Sequence, residues 1–304
     1  MEVTVTGTPL REREADRSGA AIVSVVVPTR NRSRLACARA KWALAQPAVR
    51  EVIFVVDGSS DDTAAQLRSL ADRDSRLHLI VNERSVGPPK AKNAGIRATT
   101  SEWVLVIDDD DVPSDDLIAE LLGVAREAGA DIVGVPWFNL GDAETVEDLI
   151  ARAPRTPGGP ELDRPGLFPQ TAWAPCVWMP ANALFRRSVF DVVTYDESYT
   201  GNYYREETDL YVSAARAGHR TFVTDRGYTY IRTRQGGGID RQSKLRYEYS
   251  VLRNNWHFLR KHGVWLRERG LIRRPLHEQA SLAARRLQPL VRAAGRRLTR
   301  WARR

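Results

Sequence analysis

The chain has 304 residues, 42% apolar and 28% charged, which fits a folded globular protein and excludes a collagen-like or wholly disordered one; no run approaches the ~18 apolar residues of a bilayer span. The formal net charge of +8 is uneven: residues 267–304 carry twelve Arg against two Glu, a balance of +10 that leaves −2 for residues 1–266. The basic character thus belongs to the tail, and the body shows no bias toward nucleic acid.

Residues 1–20 are polar, with Arg11, Glu12, Arg13, Glu14, Asp16 and Arg17 and no apolar core. They read as a disordered arm and not as a secretory signal, so a cytoplasmic location is expected. From Ile22 the pattern changes. Residues 22–27 form a β-branched run ending at Pro28, a buried-strand signature, and further strands are predicted at 52–56, 77–81 and 103–107. Helices are predicted between them: one with Leu35, Ala38, Trp42 and Ala45 at three- and four-residue spacing, one over 61–70, and one over 89–98 that tolerates Pro in its first turn. Alternation of buried strands with helices predicts a parallel sheet covered on both faces, with ligands beyond the C-terminal strand ends.

The second half is less regular. Residues 151–180 are rich in Pro and Gly and read as loops. A strand near 183–185, an amphipathic helix over 206–217 closed by Gly218, strands near 221–223 and 228–231, and a long helix over 243–261 follow. Gly236, Gly237 and Gly238 mark a tight or mobile turn.

The polar clusters fall where ligands are expected. Thr29, Asp57, Arg84 and the run Asp108-Asp109-Asp110-Asp111 all follow strands. Asp108 and Asp110, one residue apart, suit a divalent ion and a ligand hydroxyl on one turn; the bland alternative is a helix start ahead of Asp115 and Asp116. Cys37 and Cys176 form no CxxC pair, and His78, His219, His257, His262 and His277 form no HxH or HExxH pattern. Any metal is therefore expected to be held mainly by oxygen, which favours Mg2+ or Mn2+ over zinc. Asp57 before Gly58 is either a turn residue or an acceptor for nucleobase and ribose donors. Lys92, Asn93 and more weakly Arg84 suit a diphosphate. Glu206 and Glu207 either complement a helix dipole or supply a general base.

These blocks together resemble family 2 glycosyltransferases of the GT-A fold. Residues 25–32 are similar to the family's opening strand and turn, residues 55–63 to its nucleotide-binding turn, Lys90 to Gly95 to its basic-Asn-x-Gly helix, Ile107 to Asp111 to its DxD block, and residues 205–210 to its acceptor-side helix. The resemblance covers about residues 22–260. It implies an α/β fold with a Rossmann-like, mostly parallel central sheet flanked by helices, and inverting, non-processive sugar transfer from a nucleotide-sugar donor. Thr29 and Asp57 would contact the base and ribose, with Pro28 and Arg30 in the same site. Lys92 and Asn93 would lie near the diphosphate. Asp108 would help bind the nucleotide sugar, Asp110 would bind the metal and Asp109 would share either task. Glu207 stands where the catalytic Asp is usual, with Glu206 before it. The chain differs from many relatives in its single Asp57 and in Tyr230-Ile231-Arg232 where a His ligand is common, and it has no Gln-x-x-Arg-Trp motif of processive synthases.

The expected division is an arm over 1–20, a catalytic domain over 21–262 with nucleotide-sugar and acceptor halves meeting at 112/113, and a basic helical tail over 263–304. In the tail Leu276, Ala280, Ala283, Leu287, Leu290, Ala294, Leu298 and Trp301 recur at helical spacing among arginines, with a break or kink expected at Pro289. Such a helix suits an anionic membrane surface, which would place the enzyme on the inner face of the membrane near a saccharide, lipid-linked or small-molecule acceptor; packing on the body is the alternative. Residues 137–204 and the Gly236–Gly238 turn, with Trp137, Trp173, Trp178 and Tyr203, are expected to shape the acceptor site. A non-catalytic scaffold of the same fold is the rival from another class. A nucleotidyltransferase fits less well, because Pro28-Thr29-Arg30-Asn31 lacks glycine.

Overall fold

The computed structural model describes residues 4–6, 23–141, 145–162, 164, 166–179, 182–232 and 243–301; for residues 4–6 and 289–301 only the backbone course is described. The elements run β1 (Thr4–Thr6), β2 (Val23–Thr29), α1 (Ser33–Ala45), β3 (Val49–Asp57), α2 (Thr63–Ala71), β4 (Leu77–Asn82), α3 (Pro88–Arg97), β5 (Trp103–Val106), β6 (Val112–Pro113), α4 (Leu117–Ala128), β7 (Ile132–Gly134), β8 (Trp137–Leu140), α5 (Val146–Arg152), β9 (Arg155–Thr156), β10 (Phe168–Pro169), β11 (Trp173–Pro175), β12 (Ala183–Arg186), α6 (Glu206–Arg216), β13 (Thr221–Thr224), β14 (Thr229–Arg232), α7 (Lys244–Glu268) and α8 (Pro275–Trp301).

The chain divides into two compact units, residues 1–196 with 207–239, and residues 197–206 with 240–304. The first unit holds a nine-stranded sheet of order β1-β4-β3-β2-β5-β12-β7-β13-β11. Strands β4, β3, β2 and β5 are parallel neighbours. Their apolar runs are buried on both faces, as continuous β-branched stretches must be. Val25, Val27, Phe54 and Leu105 meet Ala36, Ala40 and Ala43 of α1 on one face. Ile53, Val55 and Ile80 meet Ala91 of α3 on the other. Each such Val, Ile or Phe contributes roughly 1.5–3 kcal/mol on burial. Beyond β5 the order changes: β12 is antiparallel to both β5 and β7 and is inserted between them. A smaller sheet, β6-β14-β8, lies apart from the large one in pairing. Within the arm read as disordered, Thr4–Thr6 pairs antiparallel with β4; the arm's other residues lie outside the described ones.

Two expectations are corrected. The buried face of α1 is Ala36, Arg39, Ala40 and Ala43, not Leu35, Ala38, Trp42 and Ala45, because small alanines let the helix approach the sheet while Trp42 stays at its margin under the Arg39 guanidinium, 5.1 Å from the ring centre. And of the break or kink expected at Pro289 the break is absent, since α8 runs on from Pro275 to Trp301.

The second unit is built on α7 and α8. Pro275 lies so close to Gly263 that a Cβ there would come within 2.5 Å of its Cγ. Asn255 donates to Gln279 at 2.8 Å, Gln279 donates to the Leu252 carbonyl at 3.0 Å, and Arg286 pairs with Glu248 at 2.9 Å. One side of α8 is thus used against α7, while Leu276 and Leu287 remain exposed. Among the described residues no helix is long and apolar enough to cross a membrane.

Candidate active site

The site is built at the C-terminal ends of the parallel strands. After β2 the chain turns at Asn31, whose φ of +52° is a left-handed conformation that Asn tolerates. Its side-chain oxygen accepts the Ser60 amide at 2.7 Å, and its own amide donates to Ser59 Oγ at 3.0 Å. The ends of β2 and β3 are thereby tied together. Gly58 follows at φ +66°; a Cβ there would meet the Ser85 nitrogen at 2.3 Å, so only glycine fits.

Asp57 is buried and uses its carboxylate on the turn after β4. Oδ1 accepts from Asn82 Nδ2 at 2.9 Å and the Val86 amide at 2.8 Å; Oδ2 accepts from Ser85 Oγ at 2.7 Å and the Gly87 amide at 3.0 Å. A nucleobase N–H would be one more donor on an already engaged group. Arg84 is exposed on the same turn, and Pro28 and Arg30 are half-buried at the end of β2.

The four aspartates point to different partners. Asp109 is buried, accepts from Thr29 Oγ1 at 2.6 Å and pairs with Arg32 at 2.7 Å. Burial pushes its carboxyl up to about 7, against the pull of Arg32. Arg32 also reaches Asp110 at 2.8 Å. Asp111 is buried and accepts from the Trp137 indole at 2.7 Å and from Asn182 Nδ2 at 2.8 Å. Burial, then Asp108 and Asp110, hold it well above the usual carboxylate range. Asn182 is doubly used, since its Oδ1 accepts the Asp108 amide at 3.2 Å. Asp108, Asp110 and Asp111 bring one oxygen each within 4.8 Å of one another. This all-oxygen set, with the Asp110 and Asp111 carboxyls raised by burial and by their acidic neighbours, fits a hard divalent cation, which would relieve the repulsion that burial amplifies. Behind them Arg39 is buried, its guanidinium brought down to about 10 by desolvation against the pull of Asp111, Asp109 and Asp110.

On α3, Lys92 is 1% exposed. Its Nζ lies 2.7 Å from Glu207 Oε1 and 3.5 Å from Asp108 Oδ1, and 5.2 Å from the Tyr195 ring centre. Gly95, one turn on, lets α3 sit against Val26 of β2, where a Cβ would come within 2.5 Å. Desolvation raises the Glu207 carboxyl, Lys92 lowers it, and Asp108 and Asp110 raise it further. Asn93 uses both ends of its amide on the Tyr195 backbone, at 2.9 and 3.0 Å. Glu206 is buried at the first position of α6 and falls in the second unit.

The structure therefore gathers Thr29, Lys92, the four aspartates and Glu207. It sets Asp57 and Asn93 into loop-holding hydrogen bonds and leaves Arg84 at the surface. Of the expected acceptor-side aromatics, Trp137 serves Asp111, Trp173 packs edge-on against Phe222 at 5.4 Å, and Gly236–Gly238 lie outside the described residues. Sequence reasoning missed Arg32, Arg39 and Asn182 as members of the site, gave Asp111 no role of its own within the acidic run, and placed Trp137 on the acceptor side rather than against Asp111. Arg32 lies in the opening motif and Asp111 in the acidic run, so both had a signal; Asn182 had none.

Comparison with known proteins bears on the family and the fold. A sequence profile described as "Glycosyl transferase family 2" matches residues 24–194. Glycosyltransferase GlyG of Streptococcus pneumoniae serotype 4 is 28% identical over 124 residues, 40% of this chain and 41% of GlyG. The GalNAc(5)-diNAcBac-PP-undecaprenol beta-1,3-glucosyltransferase of Campylobacter jejuni is 33% identical over 115 residues, 37% of each chain. The chain thus spans well under half the length of these relatives. Among solved structures, the mannosyltransferase PcManGT of Pyrobaculum calidifontis, in complex with GDP-Man and Mn2+, has a TM-score of 0.55 at 18% identity and covers 91% of this chain and 73% of its own. S. aureus TarS 1-349 with UDP-GlcNAc has a TM-score of 0.54 at 16% identity, covering 90% and 81%. These likenesses establish a GT-A fold. With the profile matching more than half of its length, the chain belongs to glycosyl transferase family 2.

Proposed function

We propose that the protein is an inverting glycosyltransferase that moves one sugar from a nucleoside-diphosphate sugar to an acceptor hydroxyl. The convergence of Lys92, Glu207 and Asp108 within 3.5 Å contacts at the strand ends carries this reading. The acceptor oxygen attacks the anomeric carbon as the bond to the diphosphate breaks. Its proton passes to Glu207, and the nucleoside diphosphate leaves with the electron pair. Lys92 offers positive charge beside the place where negative charge develops. Asp108, Asp110 and Asp111 would hold Mg2+ or Mn2+, which when bound supplies further positive charge for the leaving group. Thr29, Pro28, Arg30 and the turn braced by Asp57 form the nucleotide side, with Asn93 and Arg84 in support.

The name of the C. jejuni relative supports a lipid-linked saccharide as acceptor, and a role in envelope polysaccharide or other glycoconjugate biosynthesis goes with that reading. A catalytic domain over 21–262 and a tail over 263–304 that rests on the anionic inner face of the membrane, with the protein otherwise cytoplasmic, complete the reading.

Calorimetric titration with UDP, GDP, dTDP and CDP, each with and without Mn2+, tests it. One nucleotide is expected to bind with metal dependence, and the matching nucleotide sugar to be turned over. Absence of binding by all four to folded protein would overturn the proposal.

A further inference from the structure

The α7 helix turns an unusual face to solvent. Leu245 is 73% exposed, Tyr249 66%, Val264 63% and Trp256 37%. With 3.6 residues per turn, Leu245, Tyr249, Arg253, Trp256, Arg260, Val264 and Arg267 fall within about 100° of arc and run for about 33 Å. All seven are exposed. The opposite side of α7 is occupied, with Val251, Asn254, Asn255, Phe258, Leu259, His262 and Leu266 buried. The stripe is therefore a second, deliberate surface and not the leftover of a poorly packed helix.

Its charge narrows the partner. Arg253, Arg260 and Arg267 alternate with the apolar side chains, and Lys244, Arg246 and Lys261 are exposed beside them. The helix's two carboxylates are Glu248, which is buried and paired with Arg286, and Glu268 at its end. Residues 240–304 as a whole carry eighteen Lys and Arg against four Asp and Glu. A second copy of this face would meet like charge. Nucleic acid would meet the arginines but leave Leu245 and Val264 without a partner. A bilayer interface accepts both: acyl chains take Leu and Val, the headgroup layer takes Tyr and Trp, and anionic phosphates take Arg.

We propose that this exposed stripe of α7 is a membrane-docking surface for anionic lipid, distinct from the basic tail of α8. The proposal stands on α7 alone and does not depend on the transfer reading, although it deepens the membrane contact suggested for the tail.

The full chain is sedimented with phosphatidylcholine vesicles with and without phosphatidylglycerol. Three proteins are compared: the natural sequence, a stripe variant (Leu245→Ser, Tyr249→Ser, Val264→Ser) and a tail variant (Arg292→Gln, Arg296→Gln, Arg297→Gln, Arg300→Gln). The stripe residues are exposed, so the variant is expected to keep the natural melting temperature. A charge variant, Arg260→Glu with Arg267→Glu, repeats the test without touching apolar residues. Binding to anionic vesicles only, lost by about tenfold or more in the stripe and charge variants, supports the proposal. Unchanged binding by the stripe variant with loss in the tail variant would overturn it and leave the tail contact standing. No binding by the natural protein would overturn both. A natural protein that sediments as a dimer, made monomeric by the stripe changes and indifferent to lipid, would assign the face to self-association instead.

Discussion

The ammonium of Lys92 lies 2.7 Å from the Glu207 carboxylate across 115 positions of sequence, with Lys92 almost wholly enclosed. A buried cation and a partly buried acid at this distance hold one another ionised. Lys92 thus keeps the proposed base deprotonated against desolvation and the nearby aspartates, which push it the other way. A general base acts only when ionised, so with Glu207 in that role activity is expected to rise with pH through its raised pKa. Replacing Lys92 by Met removes the positive charge that lowers it. The acid limb of the kcat/KM profile is expected to move about one pH unit or more higher, with the fold checked by thermal melting. An unmoved limb would exclude Glu207 as the titrating base.

The two adjacent glutamates are expected to separate. Glu207→Gln keeps shape and removes basicity, so kcat should fall by about 10²–10⁴-fold while nucleotide affinity holds. Glu206→Gln should leave kcat within about tenfold. Single-turnover rates with the identified donor decide between them, and equal losses would contradict the assignment to Glu207.

Metal dependence has a readout without turnover. Mn2+ at about 100 times its Kd should stabilise the fold by about 2.7 kcal/mol and raise the melting temperature. Asp110→Ala is expected to abolish that rise. A full Mn2+ shift in the variant would remove Asp110 from the ligand set.

Asn182 offers a sharper test of the acidic turn, because it binds Asp108 through its oxygen and Asp111 through its nitrogen. Asn182→Ala leaves a buried carboxylate with one donor fewer and should cost about 2 kcal/mol. It should also weaken Mn2+ binding by about tenfold or more, as loss of a group that orients metal ligands does. Calorimetry and melting on the same variant measure both.

Asp57→Ala separates base reading from loop support. Its carboxylate already accepts four hydrogen bonds from residues 82–87. The variant is expected to lose about 2 kcal/mol of stability and to bind the one selected nucleoside diphosphate more weakly while still rejecting the other three. Acceptance of the other nucleotides by the variant would mean that Asp57 reads the base.

The parallel half of the fold was legible because its signals are local. Runs such as Val52–Val56 are both apolar and β-branched, and the chemistry follows each of them directly. Lys92 and Glu207 were legible as separate residues, through motif resemblance, but not as a pair. Asn182 was illegible because its place comes from β12 running antiparallel between β5 and β7, a pairing that no short-range period encodes. Arg39 was hidden for the opposite reason: helical spacing pointed to Leu35 and Trp42, whereas close approach to the sheet selects the alanines beside Arg39.

The insertion of β12 also bears on synthesis. A nascent chain that has left the ribosome as far as β5 and the acidic turn already holds Arg32, Thr29 and Lys92, the cations and hydroxyl that face the aspartates. It lacks Trp137, Asn182 and Glu207, which emerge later. The parallel strands can therefore pair vectorially as they appear, but the acidic turn acquires its final hydrogen bonds only when β12 threads in beside β5. The carboxylates proposed to hold the metal are therefore made before Trp137 and Asn182, the side chains that hold Asp111.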